Sequence, residues 1–237
     1  MIEALHGNAG LPEDLLPLLH ATGREYRAWH LWRWLEENPG AASFDGISAS
    51  LNAAAGSRPR VLLGYSLGAR LALHALTQQP DTWDAAILIS AHPGLTDEKE
   101  RAARLVQDQS WAARFLHEPW SDVIAAWNAQ PVLAGEPVSQ DHQQQLETSR
   151  REVAIGFDAW SLARQPDLRP LLPAVPCPVL WITGEKDMKF TALGEECCAL
   201  LPCARHFICP DAGHRAHHAG SAFPVLEAFL SAIESRL

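Results

Sequence analysis

The pentapeptide Gly64-Tyr65-Ser66-Leu67-Gly68 constrains the fold of this chain more than any other segment. It follows the apolar run 60–64 and precedes the segment 67–79, in which leucines recur at helical spacing. The pattern G-x-S-x-G between a strand and a helix is typical of a sharp turn, because the glycines let strand and helix approach closely while the serine is lifted above the sheet. The N-terminus of the helix also favours negative charge that develops nearby. The segment therefore predicts a nucleophilic Ser66 at the carboxyl edge of a parallel sheet.

Short apolar runs alternate with amphipathic segments along much of the chain. The runs that we interpret as buried strands cover 2–5, 60–64, 85–90, 178–183 and 205–209. The amphipathic segments that we interpret as helices cover 67–79, 191–201 and 222–237. Strands that alternate with helices are typical of a doubly wound sheet. We therefore predict an α/β fold with a mostly parallel sheet.

The interval 95–176 interrupts this alternation. It contains no convincing strand and is rich in Arg, Gln, Ala and Trp at helical spacing. We predict that residues 1–94 and 177–237 form the core and that 95–176 is a helical cap inserted in it. The small-residue stretch 40–56 is expected to be a loop with a short helix.

A serine nucleophile needs a base, and the base needs a carboxylate that orients it. Asp187 follows the run 178–183, and His214 lies in the sequence D-A-G-H between the last apolar run and the last helix. The order serine, acid, histidine suits a sheet of this kind, and both residues reach the edge that holds Ser66. We predict that these three residues form a catalytic triad. Two other acids and two other histidines stand nearby as alternatives: Glu185, Asp211, His217 and His218.

Catalysis by a serine nucleophile also needs hydrogen-bond donors for developing negative charge, an oxyanion hole. A glycine-bearing turn, His6-Gly7-Asn8-Ala9-Gly10, follows the first apolar run. The backbone N–H of Asn8 and that of Leu67, the residue after the serine, are the predicted oxyanion hole. The alternative is a plain turn between a strand and a helix.

With these motifs the chain resembles the α/β-hydrolase superfamily and, within it, the family of 2-succinyl-6-hydroxy-2,4-cyclohexadiene-1-carboxylate (SHCHC) synthases of menaquinone biosynthesis. The resemblance extends over most of the chain from residue 60 onward. The matching segments are G-Y-S-L-G-A-R (64–70), H-P-G-L (92–95), E-R-A-A-R-L-V-Q-D (100–108), W-x-x-Q-P-V (127–132), S-L-A-R-Q-P-D-L (161–168), G-E-K-D-M-K-F (184–190) and A-G-H-R-A-H (212–217).

The resemblance implies an α/β-hydrolase fold and a cofactor-free lyase that removes a proton from a polycarboxylate and expels pyruvate. It also implies that arginines bind the substrate carboxylates and that two aromatic residues line the pocket. The matching residues are Arg70, Arg104, Arg150, Tyr65 and Trp127. Arg151, adjacent to Arg150, is an alternative for the third arginine.

The N-terminal region departs from the family pattern. The chain begins almost at the predicted oxyanion turn, without the usual first two strands, and Asn8 replaces the usual aromatic residue. The segment 32–40 stands where the family has a pocket-forming loop. A carboxylic-ester or thioester hydrolase with a Ser66 acyl-enzyme is therefore kept as an alternative. A scaffold that only binds ligand is a third alternative, disfavoured by the complete triad. The arginines favour the lyase, because a simple esterase would favour an apolar pocket.

Charge and composition limit the possible partners. The formal net charge is −9, so the surface should repel nucleic acid and anionic lipid. A small anionic substrate is what the resemblance to the SHCHC synthases implies. No apolar stretch approaches the roughly 20 residues of a membrane helix, and the N-terminal residues lack the pattern of a signal peptide. We therefore expect a cytoplasmic location and no membrane span. The oligomeric state stays open.

Cysteines and histidines give no sign of a metal site. The five cysteines lack the C-x-x-C spacing, and we expect reduced, mostly buried thiols. His214, His217 and His218 are close together but lack the spacing of known zinc motifs. We expect neither a metal nor a cofactor.

Overall fold

Six parallel strands form one sheet in the computed structural model, which describes residues 1–133 and 138–236. The strands are β1 (Ile2–Leu5), β2 (Tyr26–Trp29), β3 (Val61–Tyr65), β4 (Ala85–Ile89), β5 (Val179–Gly184) and β6 (Ala204–Cys209). Their order across the sheet is β2-β1-β3-β4-β5-β6, and every neighbouring pair is parallel. The predicted α/β class with a doubly wound parallel sheet is confirmed.

Strand β2 is absent from our sequence prediction. It has four residues and pairs with β1 at one edge of the sheet. Arg27 is exposed and the other three side chains are half-buried, so the strand lacks the continuous apolar run that marks the buried strands. An edge strand of this length gives little signal in a sequence.

The α-helices of the described residues lie between successive strands or after the last one. They are α1 (Leu16–Ala21), α2 (Leu31–Glu37), α3 (Phe44–Ala54), α4 (Leu67–Gln78), α5 (Glu98–His117), α6 (Trp120–Asn128), α7 (Gln140–Gln145), α8 (Arg150–Ala159), α9 (Met188–Leu200) and α10 (Ala222–Glu234). The segment 32–40 largely folds as α2, and the stretch 40–56 contains α3, whose first turn is capped by the Ser43 hydroxyl. Helix α9 begins three residues before the predicted start, 191. Leu237, the predicted end of the last helix, lies outside the described residues.

Helices cover both faces of the sheet. Leu62, Leu88 and Trp181 of the strands pack on one face in a cluster that includes α3, α4 and α9. The strand residues that alternate with them pack on the other face against α1 and α10. Burial on both faces explains why the inner strands read as unbroken apolar runs.

Four helices, α5 to α8, lie between β4 and β5, and we call them the inserted helices. The predicted cap 95–176 contains them, and its residues 134–137 lie outside the described residues. Rings of Trp111, Phe115, Trp127 and Phe157 form the apolar centre of this group, with centroids 5.1 to 6.5 Å apart. Across residues 1–133 and 138–236, no helix is both long and apolar enough to cross a membrane.

Candidate active site

Ser66 lies on a strained turn between β3 and α4. Its backbone has φ 52° and ψ −110°, a conformation that costs free energy for a residue with a side chain and is common at functional sites. A Cβ atom at Gly64 would overlap the backbone of Gly68, and a Cβ atom at Gly68 would overlap the carbonyl of Leu5. The two glycines therefore permit the close packing of strand and helix that holds Ser66 in this conformation.

The structure brings Ser66, His214 and Asp187 together at the carboxyl edge of the sheet. The Ser66 Oγ atom lies 3.0 Å from Nε2 of His214, and His214 Nδ1 lies 2.7 Å from Oδ2 of Asp187. Asp187 follows β5 and His214 follows β6, and both are buried. An N–H at Nδ1 donates to the carboxylate, which leaves Nε2 free to accept the proton of Ser66.

The alternative acids and bases occupy other positions. The Glu185 carboxylate accepts a hydrogen bond from the backbone N–H of Asp211 at 2.9 Å, so the two alternative acids interact with each other. The ring of His217 packs at a tilt against the rings of Tyr65 and His218, with centroids 4.0 Å apart in both pairs. Burial, and then His218, lower the pKa of His217 well below its usual value. His217 is therefore neutral and packs beside the triad.

The predicted oxyanion amides border the same cavity as Ser66. The N–H of Gly68 donates to the carbonyl of His6 at 3.1 Å, which fixes the turn after β1 against the start of α4. Leu67 is the first residue of α4, so its N–H has no acceptor within the helix. Asn8 and Leu67 both line the cavity. This placement suits two amides that donate to one oxygen atom.

A cavity of about 530 Å³ separates the carboxyl edge of the sheet from the inserted helices. Ser66 and His214 lie in its wall. Among residues 1–133 and 138–236, its charged lining consists of four cationic and three acidic residues: Arg70, Arg104, Lys189, Arg215, Glu13, Asp14 and Asp108. Although the chain is acidic as a whole, cationic residues outnumber acidic ones among the described residues of this lining.

Arg70 is a buried cation one turn beyond Ser66 on α4. Its Nη1 lies 3.3 Å from Oε1 of Gln165, and its Nη2 donates to the carbonyl of Trp160 at 2.5 Å. Both acceptors are neutral. Burial, and then the nearby Arg104, lower the pKa of Arg70, while Asp108 acts in the opposite direction. A bound anion would offset the free-energy cost of burying the charged guanidinium and its repulsion by Arg104. Arg70 therefore favours a negatively charged ligand.

Arg104 of α5 reaches the cavity from the opposite wall. Its Nε lies 2.8 Å from Oδ1 of Asp108, one turn further along the helix, and its side chain is 34% exposed. The buried Asp108 also accepts a hydrogen bond of 2.7 Å from the Ser161 hydroxyl. Asp108 therefore orients Arg104 towards the cavity without closing it off from ligand.

Arg150 lies away from the cavity, in contrast to its predicted role in substrate binding. The described residues that line the cavity do not include Arg150. Its Nε donates to the carbonyl of Phe115 at 2.8 Å, and its Nη2 donates to that of Glu118 at 2.7 Å. Carbonyl groups at the end of a helix lack partners and carry negative partial charge, so a cation there is stabilising. Arg150 holds α5 to α8, and the neighbouring Arg151 is exposed.

The two predicted aromatic residues line the cavity as well as packing. Trp127 contacts the ring of Trp111 edge to face, with centroids 5.1 Å apart. Tyr65 is buried against His217. The structure therefore brings together every predicted site residue except Arg150.

Our sequence reasoning did not single out His92, Lys189 and Arg215, which also line the cavity. His92 and Lys189 stand in the segments H-P-G-L and G-E-K-D-M-K-F, whose resemblance to the family was the available signal.

Within residues 1–133 and 138–236, no group of three or more His, Cys, Asp or Glu could hold a metal ion. Three of the five cysteines are buried, and burial raises the pKa of Cys177 and Cys197 to about 12.

Comparisons with known proteins agree with the observed fold. A family described as "Alpha/beta hydrolase family" matches residues 5–226. An SHCHC synthase from Enterobacter sp. (strain 638) is 42% identical over 164 residues, which are 68% of this chain and 62% of that protein. The match thus spans less than two thirds of the length of such relatives.

Solved structures share the fold at low sequence identity. MenH from S. aureus has a TM-score of 0.82 and 20% identity, with 98% of this chain and 94% of that chain covered. A carboxylesterase structure from Nitrososphaera gargenis has a TM-score of 0.74 and 15% identity, with 100% and 91% covered. The same architecture therefore occurs in proteins with different names and activities.

Proposed function

Because the chain belongs to the alpha/beta hydrolase family, we propose that it is a cofactor-free lyase of the SHCHC synthase type, which eliminates pyruvate from a polycarboxylate. The observation that carries this proposal is the pair of cations, Arg70 and Arg104, in the wall of the cavity that contains Ser66. Similarity to SHCHC synthases over 68% of the chain supports the same conclusion. The core, 1–94 and 177–237, would supply the triad, and the cap, 95–176, would supply Arg104.

The proposed reaction begins with removal of a proton from a ring carbon of the substrate. His214 takes the Ser66 proton at Nε2, and Asp187 stabilises the imidazolium through Nδ1. The Ser66 alkoxide then removes the substrate proton, and the electron pair of the C–H bond shifts into the ring as the C–O bond to the enolpyruvyl group breaks. The departing pyruvate enolate takes a proton from His214, and the proton now on Ser66 restores the starting state.

Binding of the substrate carboxylates is assigned to the cations. A planar guanidinium offers five N–H donors, and Arg70 uses two of its groups on Gln165 and Trp160. A carboxylate on the cavity side would pair with the remaining donors. The proton-bearing carbon would then lie near Ser66, and the oxyanion amides of Asn8 and Leu67 would face developing negative charge.

A carboxylic-ester or thioester hydrolase is the second candidate. The triad and two amide donors would also suit an acyl-enzyme on Ser66. The two candidates differ in what the cations do, since a neutral ester has no carboxylate for Arg70.

A side-by-side assay tests the proposal. The purified chain is given the tricarboxylate precursor of SHCHC, with pyruvate measured, and separately short p-nitrophenyl esters, with nitrophenol measured. We expect rapid release of pyruvate and slow ester hydrolysis. Rapid ester hydrolysis without pyruvate would replace the lyase with the hydrolase.

A further inference from the structure

His92 is a second histidine in the cavity wall that the proposed triad does not use. It follows β4 and is 4% exposed. The turn that carries it is joined to the triad, because the Ser90 hydroxyl donates to the carbonyl of His214 at 2.8 Å. The ring of Phe190 lies edge on to both histidine rings, 6.1 Å from His92 and 4.4 Å from His214. His92 therefore has a fixed position in the wall that contains the triad.

Backbone contacts determine which nitrogen of His92 carries the proton. The N–H of Gly94 donates to Nδ1 at 3.1 Å, so Nδ1 is an acceptor and the single proton of the neutral ring is on Nε2. Gly94 has φ +116°, and a Cβ atom there would overlap the carbonyl of Pro166, so this turn requires glycine. The side-chain amide of Gln165 donates to the His92 carbonyl at 2.8 Å and fixes the backbone further. The ring is therefore held in one orientation.

The surroundings of His92 keep the ring neutral. Burial, and then Lys189, Arg70, Arg169 and Arg104, lower the pKa of His92 to about 3. Among the described residues Nε2 has no hydrogen-bond partner, while Nδ1 is occupied by Gly94. The Nε2–H of this neutral ring is therefore a free hydrogen-bond donor in the cavity wall, close to several cations.

We propose that His92 is a substrate-contacting residue, whose Nε2–H donates to an anionic oxygen of the ligand that Arg70 and Arg104 bind. The inference rests on the proposed function for the chemical class of that ligand, a polycarboxylate. A neutral donor adds direction to the charge supplied by the arginines, because it binds one oxygen at one angle. His92 would therefore select the orientation of the ligand.

Two substitutions separate this role from a structural one. The amide oxygen of His92→Asn can replace Nδ1 as the acceptor for Gly94, but this variant has no group at the position of Nε2. The amide nitrogen of His92→Gln can replace the Nε2–H donor, but this variant leaves Gly94 without its acceptor. The binding probe is tricarballylate, a simple tricarboxylate, with its Kd measured by calorimetry. The melting temperature of each variant is measured in parallel.

We expect His92→Gln to bind tricarballylate within about threefold of wild type and His92→Asn to bind it roughly tenfold or more weakly, the scale of a lost hydrogen bond to a charged group. His92→Gln should have the lower melting temperature of the two. Retained binding in His92→Asn with weak binding in His92→Gln would overturn the inference, as would wild-type Kd values in both, or no binding of the probe to wild type.

Turnover of the SHCHC precursor separates this inference from the proposed function. If wild type releases pyruvate and both variants bind tricarballylate equally well, the proposed function stands and the role of His92 is wrong. If wild type releases no pyruvate while the two variants differ in binding as expected, the role of His92 stands and the lyase is wrong.

Discussion

The sheet edge and the inserted helices hold their functional side chains by different means. At the edge, Ser66 directly follows β3, and Asp187 and His214 stand in the short loops after β5 and β6, so the backbone of the sheet sets their positions. Arg104 and Arg150 stand on α5 and α8, where helix packing and hydrogen-bond partners decide where a long side chain points. In the proposed function the rigid edge supplies the chemistry, and the cations that face it select the substrate.

Removal of the Ser66 hydroxyl should produce the largest effect, and only on the chemistry of the edge. For Ser66→Ala we expect kcat for pyruvate release to fall by roughly 10³-fold or more, because loss of a triad nucleophile typically costs several orders of magnitude. The melting temperature should stay at the wild-type value, since the hydroxyl supplies little packing. A variant that keeps more than a tenth of the activity would remove Ser66 from the mechanism.

Loss of Arg70 should separate substrate choice from chemistry. For Arg70→Ala we expect a lower kcat/KM for the anionic precursor. The drop should correspond to a loss of roughly 2–4 kcal/mol in transition-state stabilisation, the scale of a buried charge-assisted contact. Hydrolysis of a neutral p-nitrophenyl ester, measured on the same preparation, should change little. Arg70→Lys keeps the charge but not the planar guanidinium, so its kcat/KM for the anionic precursor should lie between those of wild type and Arg70→Ala. Equal losses on both substrates would contradict the assigned role.

Acid should destabilise the sheet edge. Burial holds the pKa of His6 at about 4, that of His92 at about 3 and that of His217 well below its usual value. Unfolded histidines bind protons below about pH 6.5, so the unfolded state takes up more protons as the pH falls. The contribution of these histidines to the free energy of unfolding is therefore complete above pH ~6.5 and declines below that pH. The free energy of unfolding should fall by roughly 1 kcal/mol per histidine between pH 7 and pH 5.5. Urea unfolding at both pH values measures this, and greater stability at pH 5.5 would contradict it.

A matched pair of arginine variants tests the inserted helices. For Arg104→Ala we expect KM for the precursor to rise roughly tenfold, because Arg104 faces the cavity. For Arg150→Ala we expect wild-type kinetics and a loss of about 1–2 kcal/mol in the free energy of unfolding, since two hydrogen bonds to helix-end carbonyls disappear. Steady-state kinetics and urea unfolding distinguish the two. A kinetic defect in Arg150→Ala would return that residue to the substrate site.

The same comparison explains which features were predictable. Motifs at strand ends, such as G-Y-S-L-G and D-A-G-H, lead to defined positions because a parallel sheet brings the carboxyl ends of its strands to one edge. Arg150 could not be placed this way, since its direction depends on two carbonyls at the C-terminal end of α5, which are distant in sequence. The proposed role of His92 depends on a local hydrogen bond from Gly94, two residues further along the chain, and on cations from other segments. The direction of Arg150 and the approach of those cations to His92 arise only from tertiary contacts.

We propose that the cavity beside Ser66 is an anion site, and a crystal structure with a bound tricarboxylate would show whether it is. Tricarballylate is suitable because it carries carboxylates but has no enolpyruvyl group to eliminate. We expect one carboxylate within hydrogen-bond distance of Arg70 and another near Arg104, in the cavity that Ser66 and His214 border. A ligand bound elsewhere, with Arg70 still paired with Gln165 and Trp160 alone, would contradict it.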